Sequence, residues 1–164
     1  MIVRSFAPIA APDAHTLILG SMPGIASLEA GEYYAHPRNA FWPIMGALYG
    51  AGPDLPYAQR VEQLKASGVA VWDVLQSCVR EGSLDAAIRS EVPNDFAGFF
   101  AAHPAIRCIG LNGGKAAASF RKRAAHCQPA SAVAHILPST SPAHAARGLE
   151  EKCRVWRAAL TREC

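Results

Sequence analysis

Four separate stretches of the sequence carry side chains suited to gripping a flat heterocycle. The first, GSMPGIASLEAGEYYAHPRNAFW at residues 20–42, supplies Gly20, Ser21, Met22, Gly24, Tyr33, Tyr34, His36, Asn39 and Phe41. Asp73 follows the apolar run VAVW, Asn112 and Lys115 belong to LNGGK, and LPSTSPAH holds Ser139, Thr140, Ser141, Pro142 and His144. Aromatic rings stack on a base, amides read its edge, and serine hydroxyls with glycine N–H groups hold phosphates.

Each stretch needs an element to aim it, and each adjoins a run that reads as a buried strand. HTLILGS, VAVWDVL, AIRCIGL and SAVAHILP are short, apolar and bounded by glycine, proline or polar residues. Helices are expected between them. In FWPIMGALYG, Pro43 is tolerated in a first turn and Gly50 supplies the stop. DLPYAQRVEQLKASG spaces Tyr57, Val61 and Leu64 for one helix face, with Asp54 as cap and Gly68 as end. SLDAAIRSE and NDFAGFFAAHP read as helical pieces capped by Ser83 and Asn94, NGGKAAASFRKRAA as an alanine-rich helix, and LEEKCRVWRAALTRE as the last helix. Alternating strands and helices predict an α/β fold, a mainly parallel four-stranded sheet with helices on both faces, and ligands beyond the carboxyl ends of the strands. At 164 residues the chain fits one domain spanning 1–164.

Three familiar chemistries fail on spacing. A phosphate loop needs glycine five residues before its Gly-Lys pair, where Ile109 stands, and a hydroxyl after the lysine, where Ala116 stands. Ser21 lacks the flanking glycines of a nucleophile elbow. His36, His144 and Asp73 come one to a loop without the paired spacing of metal ligands, so no metal is expected.

Composition narrows the class further. With 51% hydrophobic and 18% charged residues the chain is a folded domain, and no apolar run reaches the roughly 20 residues of a membrane span. The N-terminus MIVRSFAPIAAPDAH has no secretory pattern, so the expected compartment is the cytoplasm, with no membrane partner. Cys78, Cys108, Cys127, Cys153 and Cys164 are widely spaced and read as thiols, without a zinc site or iron–sulfur cluster. A net charge of +3 permits contact with a polyanion without requiring it, and the RKR run at 121–123 reads as a solvated helix face.

The order of these segments resembles the uracil-DNA glycosylase superfamily over most of the chain. GSMPG followed by YYAHPRNAFW is similar to the first motif region of mismatch-specific uracil-DNA glycosylases, a Gly-x-Asn-Pro-Gly turn and then aromatic-Ala-His-Pro-x-Asn-x-Phe-Trp. LPSTSPAH resembles their second motif, the serine-rich loop that enters DNA. Met22 departs from the pattern, because it stands where those enzymes hold the asparagine that positions the attacking water. In this respect the chain resembles the hypoxanthine-DNA glycosylase branch, family 6, in which the asparagine of the His-Pro-x-Asn segment is the important catalytic side chain.

The resemblance implies a three-layer α/β/α domain that removes a deaminated base, preferentially hypoxanthine, from DNA in base-excision repair. It implies a monomer close to the nucleoid, with no metal or organic cofactor and no covalent nucleophile. Asn39 is then the first catalytic candidate, to orient water or to bind the base edge, with an N-cap before AFWPIM as its competing structural role. Tyr34 aligns with the base-stacking aromatic; Tyr33 or Phe41 could share that task, although adjacent residues of an extended segment face opposite ways. His36 is either catalytic or a partner of its own loop. Asp73 either meets the base edge, where it must be protonated to tolerate a departing anion, or caps a turn. Met22 and Asn112 would line the base site. Gly20, Ser21, Gly24, Lys115, Ser139, Thr140 and Ser141 would meet DNA phosphates, and Pro142 and His144 would extend a wedge toward the vacated stack. Three rival readings remain: a uracil or mismatch-specific enzyme of the same fold, a binding module for damaged or single-stranded nucleic acid without catalysis, and a nucleotide-binding α/β regulator, against which the lack of a complete phosphate loop or dinucleotide fingerprint counts.

Overall fold

Three apolar runs become buried strands because each is long enough for one sheet crossing and is covered on both faces, and a fourth, Val133–Leu137, forms a largely exposed edge. The computed structural model describes residues 1–161. In it, β1 is Ile2–Arg4, β2 Thr16–Gly20, β3 Val69–Asp73, β4 Leu75–Val79, β5 Arg89–Pro93, β6 Cys108–Asn112 and β7 Val133–Leu137. The helices are α1 (Ile25–Ala30), α2 (Phe41–Tyr49), α3 (Tyr57–Ala66), α4 (Phe96–Ala102), α5 (Gly114–Arg123) and α6 (Leu149–Thr161). The main sheet has the order β3-β2-β6-β7 and is parallel throughout, with Ile18 opposite both Val71 and Gly110.

The period-two alternation of β2 divides the core. Leu17 and Leu19 point to one face, where Phe96, Phe99 and Phe100 of α4 and Phe120 of α5 cover them. Ile18 points to the other, under Phe41, Trp42, Ile44 and Met45 of α2, Leu64 of α3, and Trp156 and Leu160 of α6. Burying each of these large side chains contributes about 1.5–3 kcal/mol, so the two faces hold the layers together. Lys152, Trp156 and Leu160 recur every fourth residue to make the buried stripe of α6, while Glu150 and Glu151 sit in its first turn, where the helix dipole favours acids. The expected three-layer α/β/α arrangement and four-stranded parallel sheet are therefore present.

A second sheet was not anticipated. Strands β1, β4 and β5 form an antiparallel sheet in that order, with β4 leaving β3 after Val74 alone. The end of the segment read as helix SLDAAIRSE, residues 89–91, belongs to the edge strand β5; only Asp85–Ala87 makes a 3-10 turn. Pairing with β4 overrides the local helical preference, as tertiary context commonly does for short segments. The caps also shift. Asp95, not Asn94, accepts the Gly98 N–H at the start of α4, and α3 begins after Pro56 without a side-chain cap from Asp54. Gly50 ends α2 as expected, at φ 75°.

Cys78, Cys127 and Cys153 are free, but Cys108 is disulfide-bonded, which corrects the reading of all five cysteines as thiols. Disulfide formation depends on Cβ atoms meeting in space, which wide sequence spacing does not report. Cys164 and the last two residues expected in the final helix, Arg162 and Glu163, lie outside the described residues. Among the described residues no helix is long and apolar enough to cross a membrane.

Candidate active site

Gly20, Asp73, Asn112 and Leu137 are the last residues of the four parallel strands, and register places Gly20 beside Asp73 and Asn112 beside Leu137. Beyond these ends lies a cleft of about 430 Å³, within the usual range for a small-molecule site. Its walls are the loop and helix start after β2, the segment 33–39, the turn 83–86 and the loop 139–144. Gly20 has to be glycine: a Cβ there would lie 2.7 Å from both Asp73 Oδ1 and the Tyr34 hydroxyl.

The two adjacent tyrosines divide their tasks. Tyr33 is buried, its hydroxyl donating to the Ala7 carbonyl at 2.8 Å while its own carbonyl accepts from Trp42 Nε1 at 2.8 Å. Tyr34 adopts φ 53°, an uncommon left-handed conformation for a bulky residue, and lines the cleft half-buried. Its ring lies on Phe41 with centroids 4.0 Å apart and planes at 19°. Phe41 is wholly buried and outside the cleft, so it backs the Tyr34 ring and does not offer a face of its own. Burial, aided by the Asp73 carboxylate, raises the Tyr34 hydroxyl far above its usual range and keeps it protonated.

Asn39 reaches the cleft from a tight turn. Its Oδ1 accepts the Phe41 N–H at 2.9 Å, and its backbone N–H donates to the His36 carbonyl at 2.9 Å. This is the helix-starting role weighed for it, reached one residue before the formal N-cap, Ala40. Among the described residues only the acceptor is engaged, which leaves the Nδ2 donors available to the cleft. His36 Nδ1 accepts the Arg38 N–H at 3.1 Å, which assigns the ring proton to Nε2 and ties the histidine to its own loop.

Asp73 is 4% exposed, and its Oδ2 is buried without a hydrogen-bond partner. Burial pushes its pKa up to about 7, the Asp85 carboxylate adds to the rise, and the Arg80 guanidinium opposes it. Asn94 Nδ2 donates to the Asp73 carbonyl at 2.7 Å and steadies the strand end. The carboxyl is therefore poised between its neutral and charged forms near neutral pH, a property concentrated at functional sites.

Asn112 is a clasp between loops. Its Nδ2 donates to Thr140 Oγ1 at 3.0 Å and to the Tyr34 hydroxyl at 3.3 Å, while its Oδ1 accepts the Thr140 N–H at 3.0 Å. The Thr140 carbonyl in turn accepts the Ala40 N–H, joining the second loop to the turn that holds Asn39. Asn112→Ala strands the N–H of the buried Thr140 and is expected to cost about 1–3 kcal/mol, read as a lower urea midpoint. An unchanged midpoint would show that the clasp is not needed for stability.

Ser139 and Ser141 line the cleft while organising their own loop: Ser139 Oγ accepts the Ser141 N–H, and Ser141 Oγ accepts the Ala143 N–H. Pro142 and His144 form a 3-10 turn at the rim, anchored by Lys152 Nζ donating to the His144 carbonyl at 2.7 Å. Met22, 8% exposed, borders the cleft from the core and presents only a thioether. Lys115 is not in the cleft; it pairs with Glu91 at 2.9 Å on the far side of its helix start.

One wall was missed from sequence. Ser83, Leu84 and Asp85 line the cleft, and Ser21 Oγ donates to Asp85 Oδ1 at 2.7 Å. Arg80 is buried and donates from Nη2 to the Pro23 carbonyl at 2.6 Å, bracing the GSMPG turn. The signal was the run REGSLD after the second strand, with its glycine, hydroxyl and acid, hidden by its reading as a helix.

Fold and cleft together define a three-layer α/β protein whose strand-end loops enclose a base-sized site. The chain belongs to the uracil DNA glycosylase superfamily, hydrolases of the N-glycosidic bond in DNA, whose family model matches residues 7–161. It is 38% identical over 117 residues to a hypoxanthine DNA glycosylase of Methanosarcina acetivorans, covering 71% of this chain and 74% of that one. A hypoxanthine DNA glycosylase of Methanosarcina barkeri is 34% identical over 113 residues, covering 68% and 72%. The solution NMR structure of a candidate uracil DNA glycosylase from Methanosarcina acetivorans superposes with a TM-score of 0.80 at 32% identity, over 97% of this chain and 99% of that one.

Proposed function

We propose that this glycosylase acts on deaminated bases in DNA and prefers hypoxanthine. The observation that carries the reading is an exchange of polar groups across one cleft. Met22 puts an apolar thioether where the resemblance to mismatch-specific enzymes implies an asparagine, while Asn39, later in the same 20–42 segment, brings an amide to the same cleft. The names of the two Methanosarcina relatives support the same substrate.

Cleavage of the bond from base to sugar leaves negative charge on the departing base and positive character on the sugar. Fixed donors aimed at the base lower that barrier, because they need not reorganise as the charge appears. Asn39 Nδ2 is one such donor. Neutral Asp73 is a second: a 6-oxopurine displays O6 and N7 as acceptors, and adenine instead places an amino group at C6. A protonated carboxyl can therefore donate to O6 of hypoxanthine, a position at which adenine carries an amino donor instead of an acceptor. Tyr34 supplies the stacking face, held rigid by Phe41 beneath it.

The deciding experiment measures base release from matched oligonucleotides carrying hypoxanthine, uracil or xanthine. Release of hypoxanthine in preference to the others is expected. Release chiefly of uracil would change the substrate, and DNA binding without any release would overturn the enzymatic reading. In the same assay Tyr34→Phe keeps the face and most activity, whereas Tyr34→Ala loses about 1–3 kcal/mol of binding to the extruded base. Equal activity of the two variants would remove Tyr34 from the stacking role.

A further inference from the structure

A second, smaller cavity of about 180 Å³ shares a wall with the cleft. Thr140, Ser141 and Pro142 line both, and the Ala40 N–H, donating to the Thr140 carbonyl at 3.0 Å, links the two loops at this shared wall. Consecutive residues of the turn HPRNA therefore part company: His36 and Asn39 border the cleft, while Arg38 and Ala40 border the second cavity. What gathers there is positive charge. Arg38, Arg147 and Lys152 line the cavity, and none of its other lining residues is acidic. Lys152 is 4% exposed, yet among the described residues its ammonium has no carboxylate partner and donates to the neutral carbonyl of His144 at 2.7 Å. Burial holds it below the usual lysine range, and the neighbouring Arg147 guanidinium adds to the fall. Arg147 meets Glu151 at 3.9 Å with both side chains about half exposed, and Arg38 has no ion pair among the described residues.

Three cations gathered at one cavity, one of them buried, repel each other and are favoured by an anion between them, and a guanidinium pairs with phosphate through two parallel N–H···O bonds. The adjoining cleft identifies the anion. A nucleotide whose base enters the cleft carries a phosphodiester on either side, and its strand leaves across the cleft walls, of which the 140–142 loop is one. We propose that Arg38, Arg147 and Lys152 form a subsite for one phosphodiester flanking the extruded nucleotide, so that the turn carrying Asn39 and the 140–142 loop are drawn onto the same strand. Such a contact fixes the register of the strand and reads no base. The inference rests on the glycosylase reading above, and it adds cationic ligands to the hydroxyls and backbone amides expected to meet phosphates.

The test is fluorescence anisotropy on duplexes holding a hypoxanthine nucleotide fluorinated at the sugar to block cleavage, with a neutral methylphosphonate at one backbone linkage at a time. The variant combines Arg38→Gln with Arg147→Gln, because Lys152 also anchors the His144 carbonyl and its loss would disturb the loop. Neither arginine side chain carries the fold: it is the Arg38 backbone N–H that meets His36, and the exposed pair of Arg147 with Glu151 contributes little. The parent chain is expected to lose about tenfold in affinity when one particular linkage beside the hypoxanthine is neutralised, and the variant to be indifferent to that linkage. The variant should also lower the slope of log K against log salt by about 1, and Arg38→Lys with Arg147→Lys should restore it. Equal costs for parent and variant at every linkage, or an unchanged slope, would overturn the subsite. Absence of release by the parent from unmodified hypoxanthine duplexes would defeat the functional reading, while the linkage scan would still decide the phosphate contact.

Discussion

Asn39→Asp is expected to fold normally and to release hypoxanthine roughly a hundredfold or more slowly than the parent chain, the scale set by loss of one preorganised donor. Aspartate retains an oxygen for the Phe41 N–H, now held at 2.9 Å, so the turn before α2 persists. It removes the Nδ2 donors and places a negative charge opposite a leaving anion. Asn39→Ala removes both donor and acceptor, and adds a stability loss of about 1 kcal/mol from the helix start. Single-turnover base release, read beside the thermal midpoint of each variant, separates these effects. If the aspartate variant keeps nearly the parent rate, Asn39 is only the support for its turn.

The second large effect is a pH dependence belonging to Asp73. Its pKa is raised to about 7, so the donor form prevails below neutral pH and the carboxylate prevails above it. Hypoxanthine release should therefore fall as pH climbs through that value, and Asp73→Asn, whose amide donates at every pH, should flatten the fall. The groups that face this carboxyl are Asp85 on the turn after β4, Arg80 at the end of β4 and the Tyr34 hydroxyl. Stability follows the same sign. A carboxyl with a raised folded-state pKa favours the fold below its unfolded value of 3.8, and that contribution is lost as pH rises through about 7. Asp73→Asn should accordingly gain urea resistance over the parent above neutral pH and show little gain in acid. A parent profile without an alkaline fall would remove the protonated carboxyl from the mechanism.

The parts of this molecule that were legible in the sequence are those in which one segment carries its own constraint. HTLILGS, VAVWDVL and AIRCIGL are apolar enough to be buried inside a covered sheet, SAVAHILP supplies its largely exposed edge, and all four contribute parallel strands. Tyr34 and Asn39 were legible as neighbours because only four residues separate them on one loop, and both line the cleft. The antiparallel sheet was not legible, because β1, β4 and β5 are short and mostly unburied, and their pairing depends on partners up to 77 positions away, as between Ile2 and Val79. SLDAAIRSE has a local preference for helix that only the neighbouring β4 could overrule.

By itself the sequence determined the layer architecture, the strand ends at which chemistry collects, and the side chains on the two motif loops. Those follow from hydrophobic period and turn residues, which act over a few positions. Tertiary structure alone decided that both tyrosines border the cleft, Tyr33 buried with its hydroxyl bonded to the Ala7 carbonyl and Tyr34 half-buried, that Asn112 clasps two loops, and that Lys115 pairs with Glu91. It also decided that the turn from Ser83 to Ala86 forms a wall of the site, with Arg80 bracing the loop after β2. Each of those outcomes rests on hydrogen bonds or ion pairs between residues distant in the chain, whose energies exist only once the sheet has brought the partners within about 3 Å.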